Sequence, residues 1–167
     1  IRPRESGRKV VARMKVIIVG AGEVGYHIAD RLSREGHDVA LIERNAEKIG
    51  LLASKLNALV VEGIGASAEV LEKAMVQDAD LFIAVTDQDE VNLVSCLLAK
   101  EYSVPHRIAR VKTLEYTRGD GKLNAQKLGI DLLQDGLMEK ESIPITVPET
   151  VDLLTRKGLL AGSQVDE

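Results

Sequence analysis

The chain has one cysteine, no tryptophan, one phenylalanine and three tyrosines. With Cys96 as its single thiol it can form no intrachain disulfide, so a reducing, cytosolic setting is expected. Cys96 lies in "EVNLVSCLLAK", a helical pattern in which it reads as a small buried hydrophobe; no second thiol supports a redox sensor. Tyr26, Phe82, Tyr102 and Tyr116 are all the aromatics there are, which leaves an aliphatic core and no platform for stacking nucleic-acid bases. No apolar run approaches the ~20 residues of a membrane span, and no signal peptide is evident. H-E-x-x-H, paired C-x-x-C, the P-loop lysine motif and the G-x-S-x-G elbow are all missing, so neither a metal centre nor a catalytic nucleophile is expected.

Charge narrows the partners further. The formal net charge is −4, but residues 1–13 hold five basic side chains against Glu5 alone, leaving the remaining chain at −8. An acidic body does not suit a phosphate backbone, and no nucleic acid is expected as partner. The basic lead reads as a disordered arm, a juxtamembrane remnant, the end of a preceding domain or vector-derived sequence, and no function is assigned to it. With 167 residues, 45% of them hydrophobic, the chain has room for one ordinary domain.

What the sequence does contain is concentrated in "MKVIIVGAGEVGYHIADRLSREGHDVALIER". The β-branched run at Val16–Val19 suits a strand buried on both faces. Gly20, Ala21, Gly22, Glu23, Val24 and Gly25 follow with G-x-G-x-x-G spacing. Gly20 permits a tight turn, Gly22 lets backbone approach a pyrophosphate, and Gly25 lets a helix pack closely on the sheet. That helix is expected from Glu23 to Arg34, with Val24, Ile28, Ala29 and Leu32 on one face and Gly36 as its C-terminal cap. Its amino end would offer N–H groups and partial positive charge to a diphosphate. "DVALIE" then ends in Glu43, about 20 residues past the glycines, where an acid accepts from ribose hydroxyls. A carboxylate there favours NAD over NADP, although Arg44 beside it could accommodate a 2′-phosphate.

The alternation continues. "AEKIGLLASKL" reads as a helix, "ALVVEG" as a third strand, and "SAEVLEKA" as a helix with Ser67 as N-cap. "ADLFIAVT" is a fourth strand, "DEVNLVSCLLAKEY" a fourth helix, "RIARV" a fifth strand and "GIDLL" a sixth. A polar stretch through Lys127, with "RGDGK" in it, reads as a loop insertion. The expected fold is α/β, a Rossmann-like doubly wound parallel β-sheet with helices on both faces and ligand at the carboxyl ends of the strands. Residues 14–134 would form this nucleotide-binding domain, and residues 135–167, with "IPITVPETVDLL", an extension bound to a dimer mate or partner.

Catalysis is not expected. Hydride transfer needs a substrate domain and a general acid/base, and about 33 residues follow Gln134. His27, His37 and His106 are scattered without orienting carboxylates, with His37 and His106 expected at the surface. A glycine fingerprint without a catalyst points toward a sensor.

"MKVIIVGAGEVGYHIADRLSREGHDVALIERN", "ALVVEGIGASAEVLEKAMVQDADLFIAVTDQDEVNLVSCLLAK" and "RIARV" together resemble the N-terminal nucleotide-binding domain of the TrkA and RCK (regulator of potassium conductance) family. The likeness spans residues 14–133, and "DADLFIAVTDQDEVN" separates it from general dehydrogenase domains. It implies a cytosolic domain, peripheral at the inner face of the membrane, that binds NAD(H), or in some members ATP/ADP. Its implied partners are a potassium-transport membrane subunit and further copies of itself, as a homodimer or ring. By motif position Gly20–Gly25 would hold the diphosphate and Glu43 the adenosine ribose. Thr86 and Asp87 would sit beside the second half of the ligand, and Arg110 would approach phosphates. For these three the ordinary alternatives are helix capping and a surface ion pair. The chain departs from the family in the turn after the third strand, where Gly63-Ile64 replaces Gly-Asp, and in stopping before the further regulatory domain of many members. The competing readings are the cofactor half of an NAD-dependent dehydrogenase and a redox-sensing transcription regulator. For the latter, residues 1–13 are too short to supply a helix-turn-helix.

Overall fold

A computed structural model of the chain describes residues 12–117, 121–134, 136–138, 141–143, 152, 154–156 and 158. Strands β1 (Lys15–Val19), β2 (Asp38–Glu43), β3 (Leu59–Glu62), β4 (Leu81–Ala84), β5 (His106–Val111) and β6 (Asp131–Gln134) form one parallel sheet in the order β3-β2-β1-β4-β5-β6. Helices α1 (Glu23–Arg34), α2 (Ala46–Lys55), α3 (Ala68–Lys73) and α4 (Asp89–Glu101) make the crossovers, and the expected doubly wound sheet is what forms.

The strand period of two divides the core between the sheet's faces. Val16, Ile18, Val39, Leu41, Leu81, Ile83 and Ile108 point to one side, where Ile28, Ala29 and Leu32 of α1 and Leu52 of α2 cover them. Ile17, Val19, Ala40, Ile42, Phe82, Ala84 and Ala109 point to the other, against Leu71 of α3 and Leu93, Cys96 and Ala99 of α4. Each fully buried aliphatic side chain contributes about 1.5–3 kcal/mol, so the central strands β1 and β4 anchor the fold. Leu154 has no exposed surface and belongs to the first of these clusters.

Helix α1 keeps its expected bounds, although Val24 is only half-buried. It ends in paired bonds from the His37 N–H to the Leu32 carbonyl (3.1 Å) and from the Gly36 N–H to the Ser33 carbonyl (3.2 Å), the Schellman arrangement. This turn corrects the surface assignment of His37. It delivers the chain straight into β2 beside Met14, and the ring is buried with its Nδ1 accepting the Met14 N–H at 3.2 Å. Ser67 stands at the N-cap of α3, yet its side chain makes no capping bond.

The polar stretch before β6 also differs from a plain loop. It holds two single-turn helices, α5 (Leu114–Thr117) and α6 (Ala125–Leu128), the second started by Asn124, whose Oδ1 accepts the Lys127 N–H at 2.8 Å. Most of "RGDGK", most of the basic lead and most of "IPITVPETVDLL" lie outside the described residues. Past β6, β7 (Gly136–Met138) pairs antiparallel with β8 (Glu141–Ile143).

Candidate functional site

Between β1 and β4 the strand order reverses, so the loops leaving their carboxyl ends part in opposite directions and open a crevice. The crevice is a cleft of about 430 Å³, in the range of small-molecule sites. Of the expected site residues, Gly20, Ala21, Gly22, Glu43, Thr86, Asp87 and Arg110 line it. Glu23, Val24 and Gly25 do not; Glu23 is exposed on the first turn of α1, and Gly25 is buried beneath the turn.

The three fingerprint glycines do three different things. Gly20 has φ +100°, and a Cβ there would press on the Thr86 backbone at 3.0 Å. A Cβ on Gly25 would stand 1.8 Å from the Gly20 carbonyl oxygen, so helix and turn can meet only through a hydrogen atom. A Cβ on Gly22 would meet nothing within 4 Å. Packing therefore makes no steric demand for glycine at position 22, and the backbone at the start of α1 is left open to close approach.

Glu43 is buried and grips backbone on two sides. Its Oε2 accepts the Ala21 N–H at 3.0 Å and its Oε1 accepts the Asn45 N–H at 2.8 Å. The carboxylate thus pins the glycine turn to the β2–α2 loop, and each oxygen keeps lone-pair capacity for ribose hydroxyls. Arg44 is exposed at the mouth, donating to the Gln88 Oε1 at 3.5 Å. Lys48, Gly63, Ile64, Gly65, Gln88 and Val91 also line the cleft and were not anticipated as site residues, although Gly63 and Ile64 were noted in the turn.

On the far wall Thr86 both caps and lines. Its Oγ1 accepts the Gln88 N–H at 3.2 Å, and its own N–H donates to the Oδ1 of Asn92 at 2.9 Å. Asn92, with no exposed surface, and Asp89, 6% exposed, are the site-supporting residues that sequence reasoning missed. Their signal was two polar residues three apart, hence on one helix face. The Asp89 carboxylate accepts the N–H groups of Lys112 (3.0 Å) and Thr113 (2.7 Å) just past β5.

Burial alone would raise the Asp89 pKa. The bonds from Thr113 and the Lys112 backbone, with the Lys112 charge, outweigh it and hold the carboxyl below its ordinary value. A depressed folded pKa stabilises above the unfolded carboxyl value, about 4, and that stabilisation is lost as pH falls through the folded value. Asp89→Asn is expected to cost about 1.5–3 kcal/mol near neutrality and to flatten the acid limb of stability, measured by urea unfolding from pH 7 to pH 3. An unchanged acid limb would count against this role.

Cys96 is fully buried, its Sγ donating to the Ile108 carbonyl at 3.5 Å. Burial pushes the thiol pKa far up, Arg107 pulling back only in part, so Cys96 packs as a hydrophobe. His37 precedes β2 and His106 begins β5, both at the end of the sheet opposite the cleft, while His27 is exposed on α1; none lines the cleft. Among the described residues no cluster of His, Cys, Asp and Glu could hold a metal ion, and no helix is long and apolar enough to cross a membrane.

Sheet order, glycine turn and switch-point cleft define a Rossmann-like doubly wound domain. Solved structures agree on the fold. "GsuK channel bound to NAD" matches 71% of this chain and 21% of its own at TM-score 0.57 and 21% identity. "Shewanella denitrificans Kef CTD in AMP bound form" matches 89% of this chain and 83% of its own at TM-score 0.59 and 22% identity. The chain belongs to the TrkA-N domain family, whose model matches residues 16–133. A Trk system potassium uptake protein TrkA homolog of Methanothermobacter thermautotrophicus is 40% identical over 147 residues, covering 84% of this chain and 64% of that protein. This chain therefore spans less than two thirds of that relative's length.

Proposed function

We propose that the chain is a non-enzymatic regulatory domain of a potassium uptake or channel system. It binds NAD(H) or an adenine nucleotide at the switch-point cleft and conveys occupancy to a membrane pore through rearrangement of an oligomer. It acts on the cytosolic side, held at the membrane by its partner. The observation that carries this reading is Gly22, whose missing side chain no neighbour requires, beside a lining that, among the described residues, holds no histidine, cysteine or tyrosine. Family membership and a 40%-identical TrkA homolog support the potassium connection. The NAD of GsuK and the AMP of the Kef domain support a nucleotide as ligand.

The glycine turn and the N-terminus of α1 would take the diphosphate, Glu43 the adenosine ribose, and Thr86, Asp87 and Arg110 the distal half. Such a ligand shifts gating only by its differential affinity for the two oligomer arrangements, so binding should change how subunits meet. Titrating NADH, NAD and ATP into the purified chain by calorimetry tests the reading. At least one should bind with micromolar affinity, and the absence of heat for all three at millimolar concentration would overturn it. A dehydrogenase cofactor half would instead turn over NADH with small carbonyl compounds.

A further inference from the structure

Two walls of the cleft's distal half lie on separate segments, the loop after β4 and the end of β5, and a buried side chain joins them. The Oδ1 of Asn92 accepts the Thr86 N–H at 2.9 Å and the Thr86 hydroxyl at 2.7 Å. Its Nδ2 donates to the Thr86 carbonyl at 3.0 Å and to the Arg110 carbonyl at 2.9 Å. The amide has two acceptor sites and two donors, and all four are used. Thr86 and Arg110 both line the cleft, and Asn92 does not. A second link runs beside the first, since Asp89, one helical turn earlier, holds the Lys112 and Thr113 N–H groups.

The proximal half has supports of its own. There the glycine turn is set by the Gly20 N–H on the Ile42 carbonyl (2.9 Å) and by Glu43 on Ala21 (3.0 Å). The two halves of the cleft therefore have separate supports, touching where Gly20 abuts Thr86. We infer that Asn92 is a positioning residue for the distal half of a dinucleotide, fixing Thr86 against Arg110 so that the part beyond the diphosphate meets a preformed wall. The first turn of α4 is thus the element through which occupancy of that half reaches the rest of the helix. This inference rests on the reading of the cleft as a nucleotide site.

Asparagine is needed there for its chemistry as much as for its shape. Asn92→Asp keeps the outline but replaces a donor with a second acceptor, facing two carbonyl oxygens that it cannot satisfy. Asn92→Ser removes the reach to Arg110 and admits water, a milder change should the aspartate variant not fold. Both are read in the full chain, well below the melting temperature, by titration with NADH and separately with AMP, which lacks the distal half. The expected result is NADH affinity weakened by about tenfold or more, with AMP affinity within about twofold of the parent. Equal weakening of both ligands would mean a general structural role and would overturn the inference, as would unchanged NADH binding. Failure of the parent chain to bind either probe would instead remove the nucleotide reading itself. Amide exchange gives an independent readout: the Thr86 N–H should lose protection in either variant while Ile17 and Ile18 of β1 keep theirs.

Discussion

Gly25→Ala is expected to be the most damaging single-methyl change in the described fold. The added carbon would stand 1.8 Å from the Gly20 carbonyl oxygen, and backbone faces it rather than the tip of a pliable side chain. To make room, α1 must move off the turn, or Gly20 must leave its φ of +100° and its bond to the Ile42 carbonyl. Overpacking of this kind costs about 3 kcal/mol or more, a large part of the ~5–15 kcal/mol that holds a domain together. For a chain of this size the melting temperature should drop by about 6–12 °C, and nucleotide binding should fail with it. A variant that melts within a degree or two of the parent would show that helix and turn are less tightly opposed than described.

Gly22→Asp is expected to do the reverse, separating folding from binding. Gly22 is the N-cap of α1, with extended backbone (φ −68°, ψ −172°) and no side chain to accept from the first turn. Aspartate is among the best N-caps, and its charge lies favourably at the positive end of the helix dipole. Since nothing crowds the position, stability should hold or rise by about 0.3–1 kcal/mol. The carboxylate, however, would occupy the approach left for a diphosphate, with like charge against like. Nucleotide affinity should fall at least about a hundredfold, close to 2.7 kcal/mol. Thermal melts with and without NADH check both halves at once: an unliganded melting point at or above the parent's, and no upward shift with ligand. Retained binding would mean that the anion does not lie over Gly22.

How much of this was legible beforehand depended on whether a residue's task was local. The β1 turn, α1 and β2 came through because β-branched runs, three spaced glycines and a helical stripe act within their own elements. Glu43 was legible as a site acid, but its hold on the Ala21 and Asn45 N–H groups was not, because spacing does not tell which donors a carboxylate will find across a turn. Asn92 and Asp89 escaped notice for the same reason at longer range. In the string they are two polar residues in a helix, and only the sheet order brings the end of β5 beside them. His37 was misplaced because a residue after a helix-ending glycine usually faces water, whereas here the chain re-enters the sheet at once. The segment before β6 was read by composition alone, which cannot see one-turn helices, one of them started by a single asparagine.

Leu154 has a bearing on where this domain ends. The family model matches residues 16–133, yet this side chain, well beyond that point, has no exposed surface and belongs to the core cluster that holds Ile18, Leu81 and Ile83. Withdrawing it would forfeit about 1.5–3 kcal/mol and leave a hole in that cluster. The segment that packs around these strands therefore reaches past the last residue the family model matches.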